Sequence, residues 1–132
     1  MKLIEEIELA NGLKLEIFDL SRAIAKDTVK VEIHFQTKIY LKENYFTNAE
    51  DYIQIKNIMG DELAYEHKLE RSFVSKENED SIRNELITTF KDNSLGYLTA
   101  VNFAQKMSLA KLREIKANPH KYRSRTKIDQ DR

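Results

Sequence analysis

The sequence predicts an α+β fold: a mostly antiparallel four-stranded sheet in the order β-β-β-α-β-α-α, with helices packed on one face. Three observations carry that expectation. From Thr28 to Leu41 the apolar residues Val29, Val31, Ile33, Phe35, Ile39 and Leu41 fall on odd positions, with Lys30, Glu32, His34, Gln36 and Lys38 between them. Successive strand side chains point to opposite faces, so this order gives one dry face and one wet face. Asn11-Gly12 sits between two further apolar runs, and later stretches repeat apolar residues at helical spacing between start and stop signals.

Taken in order, Leu3 to Leu9 and Leu13 to Leu20 read as a hairpin, because a tight primed turn needs positive φ at both central residues and Asn-Gly supplies it. Leu3, Ile7 and Leu9 share one face of the first strand; Leu13, Leu15 and Ile17 share one face of the second. Residues 21–27 read as a connector into the long strand. Thr47-Asn48-Ala49-Glu50 reads as a capping box opening a helix that Gly60 stops after Met59. Tyr52, Ile55, Ile58 and Met59 lie near one face of it. The alternation of Ile53 and Ile55 also fits a strand, and the punctuation at both ends favours the helix.

Leu63 to Val74 is the fourth strand, with Leu63, Tyr65, Leu69 and Phe73 on its odd face beside His67 and Arg71. On its even face, Glu66 and Glu70 come within reach of Lys30 or Lys38. Ile82, Leu86, Ile87 and Phe90 place a helix over Ser81–Lys91, ended by Asp92-Asn93-Ser94 and Gly96. Residues 98–107 fit no single period. Ser108 is placed to cap a last helix through Ala117, with Leu109, Leu112 and Ile115 inward and Asn118-Pro119 as its stop.

The length of 132 residues suits one domain, 1–118, followed by a basic, flexible tail, 119–132. With 41% hydrophobic and 33% charged residues, the core is thin and the exterior well solvated. The absence of cysteine excludes disulfides and thiolate metal sites and fits a reducing cytoplasm. No signal-peptide core opens the chain, and the longest uncharged stretch, Asn93 to Gln105, is too short and polar to span a bilayer. A soluble cytoplasmic protein without membrane contact is the expectation. The formal charge of zero is unevenly spread: residues 106–127 carry a net +7 and residues 1–105 a net −6. Such asymmetry points to a partner or to self-association.

The phrases Leu3-Ile4-Glu5-Glu6-Ile7-Glu8-Leu9-Ala10-Asn11-Gly12 and Ile17-Phe18-Asp19-Leu20-Ser21-Arg22 occur with Gly60-Asp61-Glu62 and the run Tyr65-Glu66-His67-Lys68-Leu69-Glu70-Arg71, followed by Phe73-Val74. Together with Asn118-Pro119-His120-Lys121-Tyr122-Arg123, this set resembles a family of small bacterial proteins with no assigned function, over most of the chain. The resemblance implies a bacterial cytoplasmic setting and carries over no functional residue.

His67 and Arg71 are the candidate ligand-binding pair. Charged groups on a buried face are costly unless paired. Either they form a polar pocket beneath the helices, where Arg71 binds an anion and His67 hydrogen-bonds or transfers a proton, or this end of the strand emerges and Arg71 reaches water. His34, with Glu66 nearby, lacks the further ligands that a metal needs, and reads as a surface histidine. In the basic segment from His120 to Lys127, Lys121, Arg123, Arg125 and Lys127 suit phosphates and Tyr122 suits stacking on a base. No nucleic-acid-reading motif accompanies them. There is no phosphate loop, nucleophile elbow or paired metal-binding histidine, so no catalytic residue, metal ligand or cofactor is assigned. Three functions follow in order: a non-enzymatic interaction or adaptor protein; a binder of nucleic acid or an anionic ligand through the basic segment or Arg71; and a small enzyme with a pocket near His67.

Overall fold

The computed structural model describes residues 2–122. Its elements are β1 (Lys2–Glu8), β2 (Lys14–Asp19), β3 (Arg22–Ala25), β4 (Thr28–Tyr40), α1 (Ala49–Met59), β5 (Glu62–Ser75), α2 (Glu79–Leu98) and α3 (Phe103–Ala117). The fold is α+β, and the antiparallel sheet has five strands rather than four. β4 is its organising element. Val29, Val31, Ile33, Phe35, Thr37, Ile39 and Leu41 are all buried, five of them, Thr37 included, with no exposure at all.

The extra strand is β3, inside the stretch read as a connector. Asp19 lies opposite Ile33 and Arg22 opposite Lys30, while the Leu20 amide donates to the Glu32 carbonyl between them at 2.8 Å. β2 and β3 thus keep one register along one edge of β4, with the break confined to Leu20-Ser21. β5 takes the other edge. The Leu41 amide donates to the Asp61 carbonyl at one end and the Lys76 amide to the Asp27 carbonyl at the other, both at 2.9 Å. Those two bonds join the end of each strand to the start of the other, which makes the pair antiparallel.

The hairpin forms where the sequence places it, with two corrections. Gly12 alone has positive φ in the turn (89°), and the Gly12 amide donates to the Leu9 carbonyl. This is the longer turn closed by a glycine bulge, not the two-residue primed turn. The reason lies in Asn11, whose side chain accepts from the Leu13 amide and donates to the carbonyls of Leu98 and Ala100, both at 2.8 Å. The second correction is a bulge between Leu3 and Glu5. It turns Leu3 away from the face of Ile7 and leaves it 46% exposed.

The described residues gather into two compact units. The first comprises Met1–Lys38 with Ala64–Val101: β1, β2, β3, most of β4 and β5, and α2. Here α2 lies over the dry face of the sheet, with Phe90 stacked on Phe35 at 3.8 Å between ring centroids. Arg83 of α2 reaches Asp19 of β2 at 2.9 Å, and Lys91 reaches Glu5 of β1 at 2.9 Å. α2 does not stop at Asp92-Asn93-Ser94 or Gly96, as expected from the sequence, but runs to Leu98. Its last carbonyls are held by Asn11, and the Thr99 hydroxyl accepts from the Ala10 amide. Tertiary hydrogen bonds override weak local propensity there.

The second unit, Ile39–Leu63 with residues from Asn102 onward, contains α1 packed on α3. α1 is capped by Asn48, whose side chain accepts from the Asp51 amide, rather than by Thr47; Gly60 (φ 83°) ends it as expected. Lys116 of α3 pairs with Asp51 of α1 at 2.8 Å. α3 starts at Phe103, five residues before the predicted cap. Ser108 is a buried interior residue that returns its hydroxyl to the Ala104 carbonyl at 2.8 Å, the option by which a buried serine satisfies itself inside a helix.

Candidate functional site

β5 differs from β4 in kind. Its apolar and polar residues alternate well enough to form a strand of fourteen residues, yet most of it is exposed. Only Leu63 and Val74 are buried; Tyr65 and Leu69 are half-buried, and His67, Arg71 and Phe73 are exposed. Phe73 is 83% exposed at φ 59°, a conformation that L side chains adopt at a cost of roughly 1 kcal/mol or more. The expected dry odd face therefore holds near Leu63 and fails towards Phe73, where the positive φ shifts the alternation and Val74, of even parity, is the buried residue. Among the described residues no strand lies on the far side of β5, so its outer backbone edge is open.

The even face of the sheet carries a connected set of charges. Lys30 reaches Glu70 at 3.1 Å, a pairing that the sequence anticipates, and Lys68 approaches the same carboxylate at 3.7 Å. The hydrogen bond from Lys30 holds the Glu70 carboxyl below its ordinary pKa. Glu32, expected in water, is buried. Arg22 of β3 meets one oxygen at 3.0 Å and His34 the other at 2.8 Å. The Arg22 bond, opposed by burial and helped by His34, keeps the Glu32 carboxyl ionised below its ordinary range. Sequence reasoning missed this cluster because Arg22 was not recognised as part of a strand; its pairing opposite Lys30 is what brings it to Glu32.

A cavity of about 290 Å³ opens between Phe18, His34, Phe35, Gln36, Glu66, His67 and Lys68. The His67 ring lies 5.6 Å from Phe90 and 6.5 Å from Phe35. It has no hydrogen-bond partner among the described residues, whereas a catalytic histidine is usually oriented by one. Arg71 is half-exposed and pairs with Glu85 of α2 at 3.4 Å. The structure thus separates the roles assigned to the pair: His67 borders the cavity, and Arg71 does not line it. Among the described residues, no three His, Asp or Glu side chains stand close enough to hold a metal ion.

At the other end, the chain turns after Pro119. The amides of Lys121 and Tyr122 donate to the Asn118 carbonyl, and the Tyr122 hydroxyl donates to Glu114 of α3 at 2.6 Å. Lys111 and Lys121 lie over the Tyr122 ring at 5.6 and 5.2 Å. The bond from Tyr122, and a second from Lys111, hold the Glu114 carboxyl below its ordinary pKa. Arg123, Arg125 and Lys127 lie outside the described residues.

No family model, curated protein or solved structure matches this chain. The site is therefore defined by its geometry alone: an open strand edge beside a wet face of alternating charge. No helix among the described residues is long and apolar enough to cross a membrane.

Proposed function

We propose that this chain is a non-enzymatic interaction protein that takes up an extended polypeptide along the open edge of β5. One observation carries the reading: a fourteen-residue strand, paired on one side only among the described residues, keeps most of its length in solvent. Strand addition satisfies the outer amides and carbonyls, and alternate side chains then set specificity. Proteins commonly blunt such edges with short strands, charges or bulges. β5 is long, its charges are of both signs (Glu66 and Glu70 with Lys68 and Arg71) and so can meet a complementary strand, and its positive-φ residue comes only at Phe73. By the family resemblance the setting is a bacterial cytoplasm, where a chain without cysteine loses nothing to reducing conditions.

The other readings are less well supported. An anion at Arg71 has to compete with Glu85 for the guanidinium. A nucleic acid at the basic segment has to move Lys111 or Lys121 from over the Tyr122 ring before a base can stack there, and otherwise depends on Arg123, Arg125 and Lys127. Panning a displayed library of random peptides against the full chain tests the proposal. Enriched peptides are expected to compete with one another and to slow amide exchange across 64–74. Enrichment that maps elsewhere, or none, refutes it.

A further inference from the structure

We infer that the strand taken up by β5 is β5 of a second copy, paired antiparallel about a two-fold axis at Leu69 so that the two sheets become continuous. The inference rests on the reading of the β5 edge above and names its occupant. In a continuous sheet, directly opposed residues share a face, so the register is fixed by the one residue that meets itself. Only a few registers keep the Glu66–Ser72 stretch paired. Centring on Lys68 sets lysine against lysine and Glu66 against Glu70. Centring on Glu70 sets glutamate against glutamate. Centring on His67 pairs Glu66 with Lys68 but sets Glu70 against Ala64, Arg71 against Leu63 and His67 against itself, so two charges of the strand meet no opposite charge.

Centring on Leu69 sets Lys68 against Glu70 twice, Leu69 against Leu69, and Glu66 against Ser72. His67 then faces Arg71, whose charge is already met by Glu85 at 3.4 Å. Opposed charges on neighbouring strands attract, and like charges repel. The positive φ at Phe73 bends β5 just after Ser72, which sets the far end of the segment that this register uses. The opposite edge of the sheet does not offer the same fit. β1 is seven residues long, carries Glu5, Glu6 and Glu8, and has a bulge between Leu3 and Glu5. A second copy of that edge repels the first.

The test is the mass of the full chain in sedimentation equilibrium from about 1 μM to about 1 mM, a range suited to a small interface. A dimer that grows with concentration is expected. Lys68→Glu alone, or Glu70→Lys alone, sets like charges together in both related pairs and should abolish it. The double variant Lys68→Glu/Glu70→Lys should restore it, with circular dichroism confirming that all three remain folded. Because the chain has no cysteine, Leu69→Cys gives a single thiol that should cross-link to its twin, while Ser72→Cys should not. A monomer at every concentration overturns the inference, and so does a dimer indifferent to the charge exchange or cross-linked equally at both positions. A monomer that still binds library peptides at residues 64–74 overturns the second copy and leaves the open edge standing. A dimer that ignores β5 variants, with no peptide bound there, removes both.

Discussion

Replacing Phe35 by alanine tests the packing that holds the sheet and α2 together. Phe35 is fully buried, its ring lies 3.8 Å from that of Phe90 with the planes only 11° apart, and His67 closes on the same pair. Truncation removes most of an aromatic side chain from a site that helix and sheet clamp from two sides. Such changes cost ~3–5 kcal/mol, and loss of the ring stacking accounts for about 0.5–1.5 kcal/mol of it. At roughly 3–4 °C per kcal/mol for a chain of this size, the melting temperature should fall by about 10–20 °C. Urea unfolding followed by circular dichroism should show a lower midpoint with an unchanged slope. The exposed neighbour supplies the control: His67→Ala should cost less than about 1 kcal/mol. A Phe35→Ala protein whose melt moves by only a degree or two would refute the placement of this face against α2.

Other consequences follow from single contacts. Glu32→Gln should cost about 1–2 kcal/mol near neutral pH, because the buried carboxylate loses its charge-assisted bonds to Arg22 and His34. The folded pKa of Glu32 is depressed below its ordinary 4.5, so that contribution is present above this value and is lost as pH falls through the folded one. The gap between wild type and variant should therefore close in acid, and a gap constant from pH 7 to about pH 3 in urea titrations contradicts the assignment. Phe73→Gly should stabilise the fold by roughly 0.5–1 kcal/mol, since glycine takes φ 59° without strain; a lower melting temperature counts against it. Tyr122→Phe should let the Glu114 carboxyl titrate closer to its ordinary range, read by carbon-13 NMR; an unmoved titration would show that the hydroxyl is not its partner.

The parts of the fold that depend on local alternation were legible in the residues. The odd positions of β4, the hairpin around Gly12 and the glycine stop after Met59 need only near neighbours to specify them. What escaped depends on contacts far along the chain. α2 continues through Asp92-Asn93-Ser94 because Asn11, more than eighty positions away, holds its last carbonyls. Glu32 is buried because β3 carries Arg22 alongside it, and the four residues of β3 are too short and too exposed to announce a strand. The charge partnership of Lys30 with Glu70 was foreseeable, since both fall on the polar parity of their strands.

The candidate site was half legible. His67 and Arg71 on an otherwise apolar face are the sign that this face does not stay dry, and the exposure of β5 towards Phe73 bears that sign out. That the outer backbone of β5 has no neighbouring strand among the described residues is a matter of sheet order, which residue patterns leave undetermined.

The account stands on the openness of one edge, and native-state amide exchange across Glu66–Ser72 measures it residue by residue. In dilute protein, every second amide of this stretch should exchange fast, slowing as concentration rises, while those of Val31 to Ile39 in β4 stay protected throughout. Equal protection of all the β5 amides in dilute protein, unchanged by concentration, would mean that the edge is already covered.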